Sequence, residues 1–180
     1  ARLGDRAPSG LAAVQAARAA YKQLGKDPAR YRPAAEALLR RARQGKDAGP
    51  IHPVVDVNNM VSLDSAISIG SYDAAKLRPP YRCRAGRAGE SYVGIGRGDL
   101  NLAGLPLLAD GDGPFGCPTS DSERAAVGRE TRTVLMVLYG FGAAAGGDAR
   151  GALDDALARS VDLLREHAGA GQVQTGTVGG

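Results

Sequence analysis

No tryptophan and only two phenylalanines occur among the 180 residues, and with six tyrosines the aromatic share reaches only 4%. A chain of this length can bury a real core, but with so few rings it must build that core from Ala, Val, Leu and Ile. Cysteine is equally scarce. Cys83 and Cys117 lie far apart and fit no C-x-x-C metal or redox pattern. With only His52 and His167 beside them, a structural zinc site would have to draw on carboxylates, so no metal is expected. No apolar run reaches membrane-spanning length and no signal peptide is recognisable, which leaves no membrane partner and a cytoplasmic location as the default. The chain opens at Ala1 without Met, compatible with residues before it. There is no internal repeat and no second composition regime, so one domain is expected.

Charge is the first positive feature. Lys and Arg number 23 against 19 acids, giving a net +4 and a pI near 9.3. That balance is compatible with a polyanionic partner, but an Ala- and Gly-rich background also accumulates Arg, so the signal is weak.

The first third reads helical. Ser9 can cap a segment in which Leu11, Val14, Ala17, Tyr21 and Leu24 recur at three- and four-residue steps, with Gly25 as its stop. A second helix starts at Pro33, carries Leu38 and Leu39 inward and ends at Gly45, with Arg40, Arg41 and Arg43 outside. In "HPVVDVNNMVSLDSAISIGSYD" the spacing of Val54, Val57, Met60 and Val61 is helical while the valine content favours a strand. The expectation is a helix over 54–63, then a strand over 67–69 ended by Gly70. Strands follow from Tyr81, where Arg82 and Arg84 share one face, and over 91–95 and 105–109. Thr133 to Phe141 suits a buried central strand, and a final helix over 150–167 turns Leu153, Leu157, Val161 and Leu164 inward. The expected class is α/β (α+β): one mixed sheet, helices before it and one behind. Residues 1–50 form an N-terminal helical part, 51–168 a core with its closing helix, and 169–180 a loose tail.

Several stretches invite a chemical reading. "GPFGCPTSDSER", from Gly113 to Arg124, combines glycine and proline with a run of possible helix caps. It reads either as a plain passage from loop into helix or as a place where N–H groups face an anion. "GIGRGDLNLAG" lacks both the G-x-x-x-x-G-K-[ST] and G-x-G-x-x-G spacings and reads as a hairpin turn. Neither histidine sits in a nucleophile-elbow context. Asp110 and Asp112 flank a glycine and read as turn residues.

Through "PVVDVNNMVSLDSAISIGSYDAAKL", "RAGRAGESY", "LPLLAD" and "GRETRTVLMVLYGF", the sequence from Pro53 to Phe141 resembles the B3/B4 editing module of the phenylalanyl-tRNA synthetase β-subunit. The family's V-D-x-x-N-Y-V-x-L helix is matched by Val55, Asp56, Asn59, Val61 and Leu63. Its P-L-H-A-F-D step into D-x-x-K-L is matched at Asp73, Lys76 and Leu77. "RAGRAGESY" resembles its R-x-G-E stretch at Arg87, Gly89 and Glu90, "LPLLAD" its L-V-I-A-D strand, and "GRETRTVLMVLYGF" its T-x-x-T-x-x-V-L-L-E-S-A segment. The first fifty residues and the final helix show no such likeness, which suggests a freestanding relative.

The resemblance implies hydrolysis of mischarged aminoacyl-tRNA by a positioned water, with backbone N–H groups assisting and no metal or cofactor. Its pocket residues carry over to Asn58 (the family's threonine), Gly70 (its histidine) and Val137 (its glutamate). Its glycine loop falls on Gly116, Pro118, Thr119, Ser120 and Ser122. Loss of the histidine and glutamate removes the groups that read tyrosine, so another amino acid is implied. Arg78, Arg82, Arg84, Arg87 and Arg97 are the candidates for RNA phosphate, and tRNA or aminoacyl-tRNA is the expected partner. The rivals are a non-catalytic module that binds RNA or an amino-acid-like ligand, and unrelated chemistry on the same scaffold.

Overall fold

The computed structural model describes residues 7–46, 49–142 and 148–178. In chain order its helices and strands are α1 (Ala12–Gln23), α2 (Ala34–Arg43), α3 (Pro53–Ser65), β1 (Ile69–Asp73), β2 (Arg82–Ala85), β3 (Ser91–Gly94), β4 (Gly98–Asn101), β5 (Pro106–Asp110), β6 (Gly113–Gly116), β7 (Val134–Leu138) and α4 (Asp148–Ala168). The class is α+β, as the sequence indicates. The chain forms two compact units, one drawn from 1–17, 35–69 and 138–180, the other from 18–34 and 70–137.

In the first unit α3 packs on α4. His52 starts α3 by accepting the Val54 N–H on Nδ1 at 3.3 Å, with Pro53 as the first helical residue. Val54, Val57 and Val61 supply its buried face. Ala66 ends it at φ 61°, a conformation usually left to glycine, and its N–H returns to Ser62 O at 3.0 Å. On α4 the buried line is Ala156, Ser160 and Leu163 rather than the expected Leu153, Leu157, Val161 and Leu164, which are half-buried. Small side chains at the centre allow close approach, and the larger ones close the flanks. A second cluster joins Val14, Leu39 and Ala66, with Leu11, Ala13 and Leu63 against it. Ser9 does not cap α1. It sits inside a 3₁₀ turn, Pro8–Gly10, that closes before the helix begins.

The second unit holds an antiparallel sheet in the order β2-β5-β6 and an antiparallel hairpin, β3-β4. The glycine-rich stretch is indeed the hairpin turn, with Gly96 and Gly98 at φ 67° and 71°. The remaining strands, β1 and β7, pair with each other. Among the described residues the strands are therefore spread over three small sheets. β1 begins at Ile69 and runs through Gly70, which does not end it. β7 spans only Val134–Leu138 and is half-buried along its length, not a buried central strand. After β6 no helix follows: Glu123–Ala125 is a single 3₁₀ turn, so no helix N-terminus faces an anion there.

Asp110 closes the β5–β6 turn, as its place beside Gly111 suggests, and has a second role. It is the buried end of β5, accepting the backbone N–H groups of Arg78 (2.8 Å) and Asp112 (2.9 Å) and both terminal nitrogens of Arg124 (3.0 and 3.2 Å). Burial pushes its carboxyl up, but Arg124 and the two N–H groups prevail and hold it below its ordinary value. Arg124→Met should cost about 2–3 kcal/mol in a urea melt, less than a fully buried pair because the guanidinium is a third exposed. A loss under about 0.5 kcal/mol would show that the pair is only decorative.

Candidate functional site

Two glycines meet one phenol. Tyr72 follows Gly70 by two residues on β1, so the two share a side of the strand. The Tyr72 ring is fully buried and stands edge-on to Phe115, with 4.9 Å between centroids. Its hydroxyl lies over both Gly70 and Gly116, and a Cβ at either position would fall on the phenol. That hydroxyl donates to Asp121 Oδ1 at 2.6 Å, and the Ser71 N–H bonds the same carboxyl. Burial pushes the Asp121 carboxyl up to about 7, against the lowering by these two donors. Near neutral pH the group therefore exchanges a proton.

The loop from Gly116 to Ser122 is tied down residue by residue. Pro118 O accepts the Ala34 N–H at 2.7 Å. Thr119 Oγ1 bonds the Tyr21 hydroxyl at 2.9 Å and donates to Tyr31 O at 3.2 Å, so it is not free for a ligand. Ser120 O receives the Tyr92 hydroxyl at 2.6 Å and the Cys117 thiol at 3.3 Å. Ser122 donates its N–H to Phe115 O at 3.1 Å, while its buried hydroxyl has no hydrogen-bond partner among the described residues.

Of the sequence-derived pocket residues, Gly70 and the Gly116–Ser122 loop come together in the second unit, around Tyr72. Val137 is half-buried on β7. Asn58 lies on α3 in the first unit and donates through Nδ2 to Ile69 O at 3.1 Å. A cavity of about 560 Å³ lies along α2 and α3, lined by Leu38, Met60, Leu63 and Lys46 among others, and none of the sequence-derived pocket residues lines it.

The five arginines differ in availability. Arg84 is fastened to Glu90 by two 2.7 Å bonds. The Arg84 guanidinium, helped by the Arg87 N–H, holds the Glu90 carboxyl down at about 2 against its partial burial. The opposite-charge partner makes Arg84 a poor phosphate ligand. Arg78, Arg82, Arg87 and Arg97 are exposed, and Arg78 makes one loose pair with Asp112 at 3.5 Å. Among the described residues no group of three His, Cys, Asp or Glu is placed to hold a metal ion, and no helix is long and apolar enough to cross a membrane.

The sequence profile of the B3/4 domain matches residues 16–169. This chain belongs to the B3/4 domain family. The match extends well past the Pro53–Phe141 stretch that carries the motif likeness, taking in most of α1 and all of α2 and α4, so those helices are part of the B3/4 domain. Over 66 residues the chain is 33% identical to the phenylalanine–tRNA ligase β-subunit of Brucella abortus (strain 2308), covering 36% of this chain and 8% of that protein. Over 88 residues it is 31% identical to the corresponding subunit of Pasteurella multocida (strain Pm70), covering 48% and 11%. The aligned stretches thus span about a tenth of the length of these relatives. An N-terminal fragment of the phenylalanyl-tRNA synthetase β-subunit from Pyrococcus horikoshii superposes with a TM-score of 0.52 at 19% identity, covering 64% of this chain and 40% of the other. That likeness concerns the fold alone.

Tyr72 and Asp121 are the site residues that sequence reasoning missed. One signal was present. With the motif histidine on Gly70, the motif phenylalanine falls on Tyr72, which adds a hydroxyl where the histidine is gone.

Proposed function

We propose that this B3/4 domain acts on tRNA in trans, as an editing-type deacylase that hydrolyses a mischarged aminoacyl ester. Membership of the family over 16–169, with phenylalanine–tRNA ligase β-subunits as relatives, carries the reading. The chemistry needs no nucleophilic side chain. Water adds to the ester carbonyl, the bond to the ribose oxygen breaks, and the amino acid and the tRNA hydroxyl are released. In the Gly116–Ser122 loop the Ser122 hydroxyl is an uncommitted donor. His52 is spent as a helix cap, which fits a mechanism without a triad. The substrate amino acid is other than tyrosine: Gly70 and Val137 stand where its readers would be, and Tyr72 already fills the space over Gly70 and Gly116.

That same filling favours a second reading, a module that binds RNA without turnover. Ester turnover decides between them. Accelerated loss of label from at least one non-cognate aminoacyl-tRNA supports the deacylase, whereas salt-sensitive tRNA binding without acceleration selects the binding module.

A further inference from the structure

We propose that Tyr81 is a stacking platform for an unpaired nucleotide of RNA, with Arg78 and Arg82 at the flanking phosphates. The inference rests on the tRNA reading above and extends it to a surface outside the Tyr72–Asp121 site. Tyr21, Tyr72 and Phe115 are fully buried, whereas Tyr81 is 44% exposed, the one aromatic among the described residues that is largely open. It is also held in place: Phe115 meets its ring edge-on at 6.1 Å and 69°. An exposed ring that is already oriented loses little freedom on stacking.

The surroundings are cationic. Between Asp73 and Glu90 the chain carries Lys76, Arg78, Arg82, Arg84 and Arg87 and no acid. Arg82 is exposed on β2, the edge strand of its sheet, and makes no ion pair among the described residues. Arg78 extends with its side chain 78% exposed, and its pair with the half-exposed Asp112 is loose enough for a phosphate to displace. In sequence the ring lies between two such arginines, and an exposed aromatic with cations along the backbone path is what sequence-tolerant binding of single-stranded nucleic acid requires.

The test compares two labelled RNA minihelices on the full chain, one with four unpaired 3′ nucleotides and one blunt. Wild type should prefer the overhang. Tyr81→Ala should weaken binding to the overhang about tenfold to a hundredfold while leaving the blunt helix unchanged, and Tyr81→Phe should retain affinity. Arg82→Ala should reduce the slope of log affinity against log salt by about 0.7. Equal binding of both helices by wild type, an unaffected Tyr81→Ala variant, or equal losses on both helices would overturn the platform and leave the tRNA reading standing. Absence of any RNA binding by wild type would sink both.

Discussion

Gly116→Ala should destabilise the protein by about 3 kcal/mol or more, at the upper end for an overpacked core. The added methyl would fall on the phenol of Tyr72, a ring that is buried and pinned by Asp121 and Phe115. Either β6 shifts, breaking its register with β5, or the phenol leaves Asp121 and strands a buried carboxyl. The larger Gly116→Val cannot serve as a simple pocket block in a folded protein, although the motif likeness alone suggests that use. Specific overlap predicts strong coupling. In a Tyr72→Leu background the same Gly116→Ala change should cost less than about 1 kcal/mol in denaturant melts, because the leucine is too short to reach the new methyl. Equal costs in both backgrounds would mean that Gly116 is needed for its backbone and not for Tyr72.

The second large effect is on pH. Asp121 titrates near 7 in the folded chain and near 3.8 when unfolded, so between these values the native state holds a proton that the unfolded chain has released. Its contribution to stability is therefore full below pH 4 and lost as pH rises through 7, a decline on the order of 4 kcal/mol. Glu90 and Asp110, both held low, act with the opposite sign, their contributions being lost as pH falls below 4.5 and 3.8, respectively. Asp121→Asn should flatten the profile between pH 4 and 7. A wild-type curve that is level or rising there would show that Asp121 is an ordinary ionised carboxylate.

The helices were largely readable from the sequence because their signals are local. The apolar spacing of Val54, Val57 and Val61 announces α3, and Gly25 and Gly45 stop their helices at φ 76° and 66°. The errors arise where the deciding partner is distant. Gly70 looks like a strand terminator until Tyr72 and the Asp121 carboxyl are seen to need its missing side chain. Asp110 is legible as a turn residue, but its partner Arg124, fourteen positions on, is invisible to local pattern. Tyr72 and Asp121 lie 49 residues apart, and only the fold makes them a pair. The loop hydroxyls were legible as polar groups, yet nothing local tells Thr119, spent on Tyr21 and Tyr31, from Ser122, which has no partner.

The most direct test of the account is deacylation. A panel of aminoacyl-tRNAs, each labelled in the amino acid, should be incubated with the purified chain and with heat-inactivated protein at neutral pH. Ester loss should be faster than in the inactivated control for at least one non-cognate pair, and no faster for tyrosyl-tRNA. Ester loss at the uncatalysed rate across the whole panel, from a folded protein, would contradict it.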